Sequence, residues 1–149
     1  MWSLSALLFA FAPLAAASGT SPIGTWRTID DDTHQPRALV RIEEHDGTLT
    51  GHIVQLFREP GEDANPLCVD CPGEHRNQPV LGMSILWNFR QDGDIWTGGE
   101  VLDPEEGHIY RANLRLRDNG ARLDVHGYIG VSLFGRSQVW ERVDPSGMR

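Results

Sequence analysis

Cys68-Val69-Asp70-Cys71 is the most conspicuous reactive spacing in the chain, and these are its only two cysteines. Three chemistries use such a pair. A disulfide would tie the surrounding segment, with a small ring that contributes on the order of 2 kcal/mol through loop closure. A redox dithiol needs a depressed thiol pKa, and Asp63, Asp70 and Glu74 crowd this pair with negative charge, which acts the other way. A zinc site would use Cys68, Cys71 and His75, with His34, Asp70 or Glu74 as a fourth ligand. No second C-x-x-C and no paired-His motif supports it. A disulfide between Cys68 and Cys71 is therefore the expectation, with redox and metal chemistry as the alternatives and no metal otherwise expected.

Other polar groups point to less. Glu100, Asp103, Glu105 and Glu106 have the residue types of an acid/base pair, but Pro104 and Gly107 mark them as turn formers. Arg111, Arg115, Arg117 and Arg122 read as a solvated strand face ahead of an anion patch. His52, His108 and His126 are scattered and read as surface residues. All 13 basic residues are arginine. Lysine Schiff bases, P-loop lysines and Ser-x-x-Lys pairs are thereby excluded. No G-x-S-x-G, H-E-x-x-H or G-x-G-x-x-G occurs, so no catalytic residue and no cofactor is expected. The net charge of -8 argues against nucleic acid as a partner.

Residues 1–17 read MWSLSALLFAFAPLAAA, with an apolar stretch from Leu4 to Ala17 broken by Ser5 and Pro13. It is shorter than the about 20 residues a spanning helix needs. Ala15-Ala16-Ala17 supplies small residues for cleavage near Ala17/Ser18. The n-region has no Lys or Arg, and an uncleaved anchor is the alternative. The expectation is a signal peptide over 1–17 and one exported domain over 18–149, periplasmic or extracellular and not membrane-spanning after cleavage.

The rest must position these groups with strands. Asp46-Gly47, Asp92-Gly93, Asp103-Pro104 to Gly107 and Asn119-Gly120 punctuate alternating runs at short intervals. A two-residue turn at Asn119-Gly120 places Leu116 opposite Leu123, Leu114 opposite Val125 and Ala112 opposite Gly127. The other face then pairs Arg115 with Asp124 and Arg111 with Tyr128. A turn at Asp46-Gly47 places Val40 opposite Ile53 and Ile42 opposite Gly51. Further strands are expected over 23–29, 95–102 and 136–143, a long loop over 58–78 and a short helix over 81–88. The fold class is all-β: a single antiparallel β-barrel of seven to eight strands, with a two-sheet sandwich as the alternative.

Gly24-Thr25-Trp26 at the first strand resembles the closure of calycin/lipocalin barrels, in which a last-strand arginine covers the indole. Arg136 and Arg142 are the two candidates for that role. The segments Pro79-Val80-Leu81-Gly82, Trp96-Thr97-Gly98-Gly99, Asp103 to Gly107 with Tyr110, Gly127-Tyr128-Ile129-Gly130, Leu133 to Ser137 and Trp140-Glu141-Arg142, with the Cys68/Cys71 loop, resemble the bacterial family catalogued as domain of unknown function 2147. The resemblance covers roughly 23–143 and implies a secreted, calycin-like barrel, with no activity attached. The expected function is binding of a small apolar or amphipathic ligand or lipid, or an envelope accessory role. A filled barrel that contacts an envelope protein through the long loop is an alternative. Trp26, Tyr110, Ala112 and Gly127, with Trp87 and Phe89 near the mouth, are the expected ligand contacts, because small inward residues leave volume.

Overall fold

The computed structural model describes residues 20–130 and 135–144. The expected signal peptide over 1–17 and Leu133-Phe134 lie outside them. Eight strands follow one another: β1 (Gly24–Ile29), β2 (Pro36–His45), β3 (Thr48–Leu56), β4 (Ser84–Asp92), β5 (Ile95–Asp103), β6 (His108–Arg117), β7 (Arg122–Tyr128) and β8 (Gly135–Val143). Each pairs antiparallel with the next, and β8 returns to β1, so the sheet closes into a barrel with no free edge.

Both expected hairpin registers are present. Val40 pairs with Ile53 and Ile42 with Gly51, while Leu116 pairs with Leu123, Leu114 with Val125 and Ala112 with Gly127. The apolar sets are inward, which is why the registers are so well specified. The Asn119-Gly120 turn is larger than expected. Pairing stops at Arg117 and Arg122, and Asp118, Asn119 and Gly120 all have positive φ. The turn is pulled onto β8, where Arg142 donates to the carbonyls of Gly120 and Ala121 at 2.6 and 2.9 Å. Arg115 is the register partner of Asp124, yet the ion pair to Asp124 comes from Arg117 at 3.3 Å.

The helix expected over 81–88 is not formed: Ser84–Asp92 is β4. Met83, Leu86 and Phe89 are three apart and all buried, which mimics a helical stripe. Leu86 and Phe89 come to one face because Asn88, with φ of 65°, interrupts the strand's alternation. The short helical elements observed are two 3₁₀ turns, at Gly73–His75 and Asp118–Gly120.

One end of the barrel is sealed. Trp26 is fully buried and its indole N–H donates to the Pro22 carbonyl at 2.7 Å. The Arg142 guanidinium lies over the indole, 4.3 Å from the ring centroid. It also donates to the carbonyls of Ile23 and Ser21 at 2.9 and 2.7 Å. Arg142 is thus the covering arginine, and the alternative Arg136 sits elsewhere. Burial lowers the Arg142 pKa from its ordinary value. Gly24 has φ +140°, and a Cβ there would lie 2.7 Å from Nη1 of Arg142. The glycine of G-x-W is the space through which the arginine reaches.

Above this seal the lower half of the barrel is packed with Ile42, Leu49, Leu86, Phe89, Leu114 and Leu123, all essentially fully buried. Gly99, Ala112 and Gly127 form a belt of small residues across β5, β6 and β7. Phe89 fills the space over Gly99, where a Cβ would lie 2.3 Å from its ring.

Arg142→Ala is expected to destabilise the protein by about 2–4 kcal/mol, through three lost charge-assisted hydrogen bonds and an uncovered indole. Gly24→Ala is expected to cost about 1–3 kcal/mol in the natural background. It should cost less in the Arg142→Ala background, because the steric part is gone. Denaturant unfolding of the two single variants and the double variant measures this coupling.

Candidate functional site

The other end of the barrel is open. Among the described residues its loops are 30–35, 57–83 and 104–107. A cavity of about 410 Å³ lies there, lined by residues of all eight strands. Much of its wall is apolar: Val40, Ile53, Ile85, Val101, Val125 and Trp140 line it, with Pro66, Leu67 and Val80 contributed by the long loop, and charged residues border it at the rim. That volume falls in the range of sites that enclose one small molecule.

Strand β8 runs the length of the barrel with one set of alternate residues. Arg136, Gln138 and Trp140 border the cavity, and Arg142 stands on the seal below. The indole N–H of Trp140 donates to Gln138 at 3.2 Å, and Gln138 donates to Asp31 at 3.3 Å. Arg136 donates through Nε and Nη2 to the same carboxylate oxygen, at 2.9 and 2.5 Å. These hydrogen bonds raise the Arg136 pKa. Arg136 is therefore a rim residue and has no part in the seal.

Tyr110 enters the cavity wall from β6, and its hydroxyl donates to Glu106 at 2.7 Å. That bond holds the Glu106 carboxyl below its usual range. It pushes the Tyr110 phenol up to about 12, since ionisation would lose the hydrogen bond and face the carboxylate. Asp103 shapes the β5–β6 turn by accepting the N–H groups of Glu105 and Glu106 at 2.9 and 3.4 Å. Burial raises its pKa, while the Thr33 backbone N–H lowers that of Asp30 across the rim. Arg37 is ion-paired with Glu105.

The long loop is stapled and docked. Cys68 and Cys71 form a disulfide. The Cys68 Sγ lies 3.2 Å from the Pro104 carbonyl oxygen. A Cβ on Gly107, whose φ is +72°, would lie 2.2 Å from the Asp70 carbonyl oxygen, so this glycine is the seat of the loop. A bridge between Leu67 and Pro79 closes the loop's neck. His75 stacks on Trp87 at 5.8 Å, and the Trp87 indole donates to Glu100 at 2.9 Å. Both sulfurs are bound to each other, and His75 is occupied by Trp87. Among the described residues no three His, Cys, Asp or Glu side chains converge as a metal site.

Of the expected ligand contacts, Tyr110 and Gly127 line the cavity. Trp26 is in the seal, Phe89 is in the packed lower half, Ala112 is buried in the belt of small residues above it, and Trp87 is held by Glu100 and His75. Asp30, Asp31, Arg37 and Arg58 also line the cavity and are not among the residues expected there. The run Asp30-Asp31-Asp32 after β1 and the alternation Arg136-x-Gln138-x-Trp140 are the features that mark the rim.

The Tyr110 environment has a spectroscopic consequence. In a Tyr128→Phe variant, phenolate absorbance should rise with a midpoint near 12, above the ordinary value of 10.0. Glu106→Gln should return the midpoint toward the ordinary value. An unshifted phenol in the Tyr128→Phe protein would remove the Tyr110–Glu106 bond from the rim.

The solved structure of protein HP1028 from Helicobacter pylori, described as belonging to the lipocalin family, is similar to this chain. The match covers 85% of this chain and 86% of that one, with a TM-score of 0.72 and 18% identity. At that identity the likeness concerns the fold: a lipocalin-like barrel. The comparison with curated proteins returned no match. The family model described as "Uncharacterized protein conserved in bacteria (DUF2147)" matches residues 24–142. That span runs from the Gly24 that admits Arg142 to Arg142 itself, and the chain belongs to the DUF2147 family.

Proposed function

We propose that this chain is a small exported barrel that binds one apolar or amphipathic molecule in the upper half of its interior. The observation that carries this reading is the cavity of about 410 Å³, apolar-walled and bordered by every strand. Binding there would come from burial of apolar ligand surface, at about 25 cal/mol per Å², less the cost of immobilising the ligand. The packed lower half and the Arg142 seal give the cavity a floor, and the loop of residues 57–83 gives it part of a roof. Export is supported by the composition of residues 1–17 and by the disulfide, a bond that persists in oxidising compartments.

The delipidated mature protein should bind the apolar fluorophore N-phenyl-1-naphthylamine saturably at one site. Native mass spectrometry of protein purified without detergent should show an apolar adduct that organic solvent removes. Val125→Phe puts a ring into the cavity and should weaken fluorophore binding by about tenfold or more, with little loss of stability, because the ring enters space already present. A protein that binds no apolar probe, with Val125→Phe indistinguishable from the natural chain, would contradict the proposal.

A further inference from the structure

The rim of the cavity bears on what head a bound amphiphile carries, and this inference rests on the ligand-site reading above. Three arginines border the rim, Arg37, Arg58 and Arg136, and each is already engaged. Arg136 holds Asp31 and faces Glu106 at 3.6 Å. Arg37 is paired with Glu105 and lies 3.8 Å from Asp30. Arg58 faces Glu62 at 3.5 Å and donates to the Asp63 carbonyl at 2.9 Å. Asp103 adds a further carboxylate to the lining.

Six carboxylates thus surround three guanidinium groups, and the field at the mouth is net negative. The whole chain has the same sign, at -8. An anionic head would enter against that field and have to displace carboxylates from arginines that they already satisfy. A cationic head meets carboxylate oxygens at the edge of an apolar wall, where attraction is less screened than in bulk water. We infer that the cavity selects amphiphiles with a cationic, amine-type head over those with a carboxylate or other anionic head.

Titration calorimetry of the mature protein at low salt tests this with three probes of equal chain length: dodecylamine, dodecanol and dodecanoate, each below its micelle concentration. The expected order is amine, alcohol, carboxylate, with about tenfold or more between the first and last, a gap that shrinks as salt is added. The double variant Asp31→Asn/Glu105→Gln removes one exposed carboxylate from each of Arg136 and Arg37. It should narrow the amine-to-carboxylate gap by about three- to tenfold, whatever common change it makes to the affinity for all three probes. Dodecanoate binding as tightly as dodecylamine, with dodecanol also bound, would overturn the inference and leave the cavity reading standing. A gap unchanged in the double variant would also overturn it, because the rim would not be its source. Failure of all three probes to bind would overturn the cavity reading itself and this inference with it.

Discussion

The contact between Arg142 and Trp26 is the constraint on which the barrel depends. A closed sheet has two open ends, and one must be plugged before the other can be left empty. Here a single guanidinium covers the indole and donates to three backbone carbonyls, drawing the N-terminal segment, the β6–β7 turn and β8 together. Trp26 and Arg142 are register partners between β1 and β8, the pair of strands whose meeting closes the barrel. The seal and the closure are therefore one event. Gly24 completes it by leaving out the side chain that would block Nη1.

An asymmetric interior follows. Below the belt of Gly99, Ala112 and Gly127, large side chains fill the barrel, and Phe89 occupies the space that Gly99 leaves. Above it, Val40, Ile53, Val125 and Trp140 leave a volume between them. The packed half supplies apolar burial that favours folding, which lets the other half keep surface available for a ligand. The disulfide serves this division from outside. It constrains the loop that rests on Gly107 and contributes Pro66, Leu67 and Val80 to the cavity wall.

Much of the fold was legible in the sequence because two glycine turns set hairpin registers and each register sorts apolar from charged residues. The choice between Arg136 and Arg142 was not. Both share one parity on β8, and only their positions along the barrel separate a rim residue from a seal. The helix expected over 81–88 failed for a local reason: the positive φ at Asn88 brings Leu86 and Phe89 to one face at a helical spacing. Small residues at Ala112 and Gly127 suggested empty space, but volume depends on what neighbouring strands project there: Tyr110 of β6 lies against Gly127, as Phe89 of β4 lies against Gly99. The acidic rim was least visible, because Asp31 meets Arg136 across 105 positions of sequence.

The barrel is filled below and open above, and its tryptophans report on both halves. Trp140 borders the cavity, Trp26 lies in the seal, Trp96 is buried in the core, and Trp87 is tied to Glu100 and His75. Dodecanol, a neutral probe, can be titrated into nitrogen-15-labelled mature protein while the indole N–H resonances are followed. A saturable shift of the Trp140 indole, with those of Trp26 and Trp96 unmoved, is the result this account predicts. Shifts centred on Trp26 or Trp87 with Trp140 unmoved, or no shift at any indole, would contradict it.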